Sequence, residues 1–168
     1  LAFGGVLPSP ERATAITESY NGTNWSEVND LNTARLRGAG AGTQTSALAF
    51  GGQTPSTPIF ALTELWNGTN WTEVNDLNTA RRELAGAGSS NTNALAISGS
   101  SNKTTESWNG TNWTEVGDIN NLKNDAGAAG TNTAALAFGG ESPAAGGTNS
   151  AVTETFNAGP VTVTFDVS

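Results

Sequence analysis

Short apolar runs ended by glycine punctuate the chain at a steady interval: Leu1 to Gly5 (LAFGG), Leu48 to Gly52 (LAFGG), Leu95 to Gly99 (LAISG) and Leu136 to Gly140 (LAFGG) begin 47, 47 and 41 residues apart. A run of this length, stopped by a residue that tolerates positive φ, predicts a buried strand. A second motif keeps the same period. Thr17 to Trp25 (TESYNGTNW), Thr63 to Trp71 (TELWNGTNW), Thr105 to Trp113 (TESWNGTNW) and the altered Thr153 to Pro160 (TETFNAGP) place Glu18, Glu64, Glu106 and Glu154 at steps of 46, 42 and 48 residues. No apolar pattern of helical period occurs, so the chain is expected to be all-β.

Each repeat reads as four strands. The inner strand is small and glycine-rich, at Arg37 to Gly42, Leu84 to Ser89 and Asp125 to Gly130, as crowding near a propeller axis requires. The glycine-ended run is the second strand. The third carries Thr-Glu and an aromatic (Tyr20, Trp66, Trp108 or Phe156), and an Asn-Gly-Thr-Asn turn reverses the chain into an outer strand that starts at Trp25, Trp71 or Trp113. A period near 45 residues is that of a propeller blade. The expected fold is a β-propeller of four-stranded antiparallel blades, one domain over residues 1–168, with repeats at about 1–30, 31–76, 77–118 and 119–168. Repeat one starts at its second strand and repeat four ends on an outer strand, Val161 to Val167, giving three complete blades and a three-stranded partial one. The chain therefore reads as part of a larger ring, completed by further residues of a longer chain or by another copy.

A hydrophobic strand ending in a double glycine, an aromatic in the next strand and a tryptophan about five residues later resemble the kelch motif, over essentially the whole chain. The wording NGTNWTEVNDLNTAR with LAFGG is similar to kelch-like repeat proteins of marine bacteriophage virions. Ser98 in place of the first glycine and the missing tryptophan of the last repeat depart from the pattern. The resemblance implies a non-enzymatic structural or interaction module of an extracellular particle: a tail, fibre or capsid-decoration component whose partners are other virion proteins or a host-surface glycan. The alternatives are a secreted or cell-surface bacterial carbohydrate-binding propeller, or an accessory domain of a larger enzyme.

Composition narrows the chemistry. Fifteen acidic residues against seven basic ones give a net charge of −8, which repels nucleic acid and anionic membrane. No stretch of about 18 apolar residues is present to span a bilayer. Histidine and cysteine are both absent, which removes the commonest general base and the softest metal ligands. Galactose oxidase is a kelch-related enzyme whose copper chemistry needs histidines and a tyrosine linked to cysteine; this chain has neither His nor Cys, so no enzyme activity, cofactor or metal is expected here. The chain opens at Leu1 and has no methionine, which reads as a processed chain or a window on a longer one. Sequons at Asn21, Asn24, Asn67, Asn70, Asn109 and Asn112 coincide with the tight turns and are explained as turn chemistry.

Two sets of residues are singled out. Glu18, Glu64, Glu106 and Glu154 recur with a basic residue at a matching position, Arg35, Arg81 or Lys123, which predicts buried ion pairs tying strands together. Trp25, Trp71 and Trp113 are expected to pack blade against blade. The other set lies where the repeats disagree. Val6 to Ile16, Gln53 to Leu62, Ser100 to Thr104 and Glu141 to Val152 differ in length and wording, while their flanks stay fixed. Variable loops on a rigid scaffold are a common way to build a binding face, and Arg12, Phe60, Lys103, Glu141 and Asn149 are its candidates; Phe60 is either an exposed anchor or the start of a core strand.

Overall fold

The protein was analysed as a computed structural model that describes residues 1–8, 10–100, 102–143, 146–158 and 163–167, the last run as backbone alone. Among these residues the regular structure is strand, and no α-helix occurs. Four antiparallel sheets follow one another along the chain. The first has three strands, Ala2–Phe3, Thr17–Tyr20 and Trp25–Val28. The second (Ala39–Gly42, Ala47–Phe50, Thr63–Trp66, Trp71–Val74), third (Ala85–Ser90, Asn93–Ile97, Thr105–Trp108, Trp113–Val116) and fourth (Gly127–Gly130, Ala134–Phe138, Thr153–Ala158, Val163–Val167) have four each. The expected outer strand of repeat four is present from Val163; its first residue, Val161, lies outside the described residues.

The turns form as the sequence dictates. Asn67 Oδ1 accepts from the Thr69 and Asn70 amides at 2.9 Å each, and Asn21 and Asn109 make the same pair of bonds. This side-chain capping sets the register that places Trp66 opposite Trp71 and Trp108 opposite Trp113.

The core lies between consecutive sheets. Each of the first three sheets turns the leucine and the phenylalanine, or Ile97 in the third, of its second strand toward the sheet that follows, and each of the last three turns alanines and aromatics toward the sheet before it. Leu48 and Phe50 thus meet Ala94, Ala96, Trp108 and Trp113. Leu1 and Phe3 meet Ala47, Ala49, Trp66 and Trp71, and Leu95 and Ile97 meet Ala135, Ala137 and Phe156. The alternation of two residues per strand face therefore encodes two different surfaces on one sheet.

Phenylalanine needs a hole, and glycine supplies it. A methyl group on Gly86 would stand 3.0 Å from Phe50 Cζ and press on the Gly40 carbonyl, and one on Gly40 would collide with Phe3. At the third junction the knob shrinks to Ile97 and the hole fills to Ala128, keeping total volume close to constant. Consecutive inner strands are also stitched at their entry: Glu83 N donates to Arg37 O at 2.8 Å and Asp125 N to Glu83 O at 2.9 Å, with all three residues at positive φ.

Candidate functional site

In this topology the connections between second and third strands and the links between successive sheets share one end of the stack, and the Asn-Gly-Thr-Asn turns share the other. The first end holds every candidate named above except the tryptophans. Its base is a repeated polar cluster. Glu64, 1% exposed, accepts from the Asn32 amide at 2.7 Å, from Asn32 Nδ2 at 2.8 Å and from the Arg35 guanidinium. Arg35 in turn donates to Leu62 O at 3.0 Å. Glu106 repeats the arrangement with Asn78 and Arg81, at 2.7 Å for each of its three bonds. The link leaving one sheet is thereby clamped to the third strand of the next. Burial pushes the Arg35 and Arg81 guanidinium groups below their ordinary range, and the paired glutamates oppose that shift.

The other two copies differ from expectation. Glu154 is buried and receives the Asn120 and Asn121 amides at 2.7 and 2.9 Å, but Lys123 Nζ turns to Val152 O, Gly139 O and Ser150 Oγ at 2.8–3.3 Å. A compact ammonium follows the carbonyls that Arg35 and Arg81 reach with one nitrogen, and lacks the fork that spans on to the carboxylate. Burial lowers the Lys123 pKa, with Glu154 opposing. Glu18 is exposed, and among the described residues no linking segment supplies it with donors. Trp25, expected in a packed junction, is 52% exposed for the same reason: Trp71 and Trp113 each lie against the phenylalanine of the sheet before, and no sheet covers Trp25 in this structure.

Upon this base stand the variable loops. Val6–Leu7 pairs with Arg12–Ala13, and Glu141–Ser142 with Thr148–Asn149, so two of the expected loops are small two-stranded ribbons. Arg12, Lys103, Glu141 and Asn149 are exposed. Phe60 is half-buried, with its amide donating to Gly52 O at 2.8 Å and its carbonyl accepting from Arg81 N at 3.0 Å; it belongs to neither core strand nor open surface. The structure brings Glu141 and Asn149 together as a directly opposed pair, lining a concavity of about 390 Å³ with Asp125, Gly140 and Ser150. Lys103 Nζ is occupied by Asn120 O at 2.6 Å. Among the described residues no hydrogen bond or ion pair joins the side chains of Arg12, Phe60 and Lys103, and no group of three or more His, Cys, Asp or Glu side chains is placed to hold a metal. The concavity offers carboxylate, amide, hydroxyl and backbone groups, a set suited to hydrogen-bonding a polar ligand.

Sequence reasoning overlooked the asparagines of the linking segment and took its aspartates, Asp30 and Asp76, for solvated edge charges. Asp30 and Asp76 Oδ1 accept from Thr17 N and Thr63 N at 3.1 Å, and Asn29 and Asn75 reach Asn70 Oδ1 and Asn112 Oδ1 of the following sheet at 2.7 and 2.9 Å. Their signal was the verbatim return of VNDLNTAR at Val28 to Arg35 and Val74 to Arg81.

Comparison with known proteins places the fold alone. No protein-family model matches the chain, and no curated protein matches it in sequence. Among solved structures, that of YjhT superposes with a TM-score of 0.76 over 92% of this chain at 12% identity. The chain spans about half of that protein, 52% of its length. The shape is shared where the sequence is not, and the all-β arrangement of side-by-side antiparallel sheets is consistent with a β-propeller-like fold. No helix among the described residues is long and apolar enough to cross a membrane.

Proposed function

We propose that this chain is an arc of kelch-type propeller blades, three four-stranded and one three-stranded, acting as a non-enzymatic structural and interaction module on the exterior of a virion. It presents its variable loop end to a polar ligand such as a host-surface glycan. The observation that carries this reading is the contrast within one end of the stack: the buried pair of Glu64 and Arg35 recurs at the next junction as Glu106 and Arg81, while the loops above diverge and expose Arg12, Lys103, Glu141 and Asn149. Glu141 and Asn149 line a concavity there with Asp125 and Ser150, and these polar groups can hydrogen-bond a ligand. The virion setting rests on the resemblance of repeat wording.

Two measurements test it. Mass spectrometry of particles purified from an infected culture should find the chain as a stoichiometric component; finding it only in the secreted fraction of uninfected cells would transfer it to the cell-surface carbohydrate-binding reading. Binding to intact host cells should fall when Glu141 and Asn149 are replaced by alanine and survive Glu27→Ala on an outer strand. Equal binding by both variants would remove the loop end from the function.

A further inference from the structure

Three asparagines of the chain, Asn21, Asn67 and Asn109, are followed by glycine, and each opens the turn between a third and an outer strand. All three are exposed. In each, the side-chain carbonyl oxygen is held by two backbone amides at once. Thr69 N and Asn70 N donate to Asn67 Oδ1 at 2.9 Å each, and Thr23 N and Asn24 N donate to Asn21 Oδ1 at 2.9 Å each. Thr111 N and Asn112 N donate to Asn109 Oδ1 at 2.9 and 2.8 Å. Two amides at this distance are the donor set that stabilises an oxyanion when a carbonyl carbon is attacked.

The nucleophile and the leaving group are both uncommitted. Among the described residues no hydrogen bond engages the amide nitrogen of Gly22, Gly68 or Gly110, or the Nδ2 of the three asparagines. Asparagines elsewhere spend Nδ2 on the following sheet, as Asn32 does on Glu64 at 2.8 Å and Asn78 on Glu106 at 2.7 Å. The turn itself requires glycine, since Gly22, Gly68 and Gly110 have φ of 98°, 94° and 96°, and glycine has no Cβ to obstruct attack by its nitrogen. That nitrogen and the asparagine Cγ close a small ring within one turn, so the reaction is intramolecular and needs no second molecule to be captured.

We propose that Asn21, Asn67 and Asn109 are sites of spontaneous covalent modification, converting through a cyclic imide to aspartate and isoaspartate. Asn67 illustrates the steps. Gly68 N gives up its proton to hydroxide and bonds to Asn67 Cγ, and the carbonyl electron pair moves onto Oδ1, where the Thr69 and Asn70 amides hold it. The oxyanion then re-forms the carbonyl and expels Nδ2, which takes protons from solvent and leaves as ammonia. Water adds to the imide and breaks one of its two ring C–N bonds. Breaking the bond to Cγ restores the ordinary peptide link and leaves aspartate; breaking the bond to the main-chain carbonyl leaves a backbone that runs through Cγ. Each site consumes one water and releases one ammonia, with no oxidant or reductant. Each product is a carboxylate carrying one negative charge, so three conversions take the net charge from −8 to −11. The new charges fall in turns built of Asn, Gly and Thr, at the end of the stack opposite the variable loops. The modification is independent of the ligand and of the virion setting.

The test is incubation of the native chain at physiological temperature and pH, followed by anion exchange and peptide mapping. The chain should resolve into a ladder of species with one, two and three added negative charges, and isoaspartate should map to Asn21, Asn67 and Asn109 ahead of every other asparagine. The rate should rise from neutral to mildly alkaline pH, because the attacking nitrogen must lose its proton. The same chain unfolded in guanidinium isolates the part played by the turn: native turns should convert at least about 5-fold faster, the gain that one net hydrogen bond provides. Asn67→Ser keeps a capping oxygen and should remove one rung of the ladder. Native chain that converts more slowly than unfolded chain, or does not convert, overturns the proposal without calling on any variant. Isoaspartate spread evenly over the other asparagines overturns it as well, and so does aspartate formed without isoaspartate, the mark of direct hydrolysis.

Discussion

Trp113→Ala and Trp25→Ala remove the same residue from the same position of two repeats, and the structure assigns them different costs. Trp113 is 5% exposed, tilted against Trp108 at 5.4 Å, edge-on to Phe50 at 5.0 Å, and bonded to Thr63. An indole buries about 200 Å², worth roughly 5 kcal/mol at about 25 cal/mol per Å², of which alanine retains a small part. Cavity formation in large-to-small core changes brings the usual loss to about 3–5 kcal/mol. The orphaned Thr63 hydroxyl adds about 1 kcal/mol. Trp113→Ala should therefore cost about 4–5 kcal/mol. Trp25 touches Tyr20 at 5.2 Å and is otherwise half open, so its removal should cost only about 1–2 kcal/mol by the same area arithmetic.

The assay is urea unfolding followed by far-ultraviolet circular dichroism, at dilution sufficient to keep copies apart. Equal slopes would license comparison of midpoints. The expected gap between the variants is about 3 kcal/mol, roughly 10 °C in melting temperature for a domain of this size. A gap below about 1 kcal/mol, the usual size of a single-mutation effect, would refute the claim that the tryptophan acts through the sheet before its own.

The polar clamp allows a parallel comparison: Glu106→Ala orphans buried Arg81 and the Asn78 amides and should cost about 3–5 kcal/mol, whereas Glu18→Ala, at the exposed copy, should stay within about 0.5 kcal/mol in the same titration. Ile97→Phe should destabilise by about 1–3 kcal/mol through crowding against Ala128, and adding Ala128→Gly should restore at least about 1 kcal/mol in a double-mutant cycle; strict additivity would show that the two do not share a junction. Because burial depresses the Lys123 pKa, the folded chain releases that proton before the unfolded chain does, so the cost of the buried ammonium falls as pH rises toward 10.5. Wild type should gain stability relative to Lys123→Gln between neutral pH and that value, and a flat difference would refute the burial of a charged amine.

The sequence carried the strands and turns because each is a local matter. Alternation, the closing glycines and the Asn-Gly-Thr-Asn turn act within a few residues, and Thr63–Trp66 and Trp71–Val74 form where the pattern placed them. It was silent on what depends on a neighbouring sheet. Trp25 and Trp113 are the same letter in nearly the same nine-residue phrase, yet one is open and the other is core, since burial is conferred by the preceding repeat. The Lys123 geometry was hidden for a different reason. A basic residue at the right spacing fixes where a charge begins, while the reach of the side chain decides whether carboxylate or carbonyl receives it. The ribbon of Glu141–Ser142 with Thr148–Asn149 came from a stretch too short and glycine-rich for any periodic signal.

Near-identical repeats carry a hazard that the fourth one answers. If every junction were Phe on Trp, any offering face could accept any receiving face, and copies could pair out of order. The fourth sheet has no tryptophan at the outer position, and the hydroxyl of Thr105, where Thr17 and Thr63 each hold an indole, is buried with no partner among the described residues. That loss is tolerated together with the exchange of Phe for Ile97 and of Gly for Ala128. The resulting receiving face fits an isoleucine; Phe3, Phe50 or Phe138 would strike Ala128 there. Only the third sheet offers isoleucine, so the fourth sheet rejects every other neighbour by overlap, a specificity gained through repulsion as much as attraction.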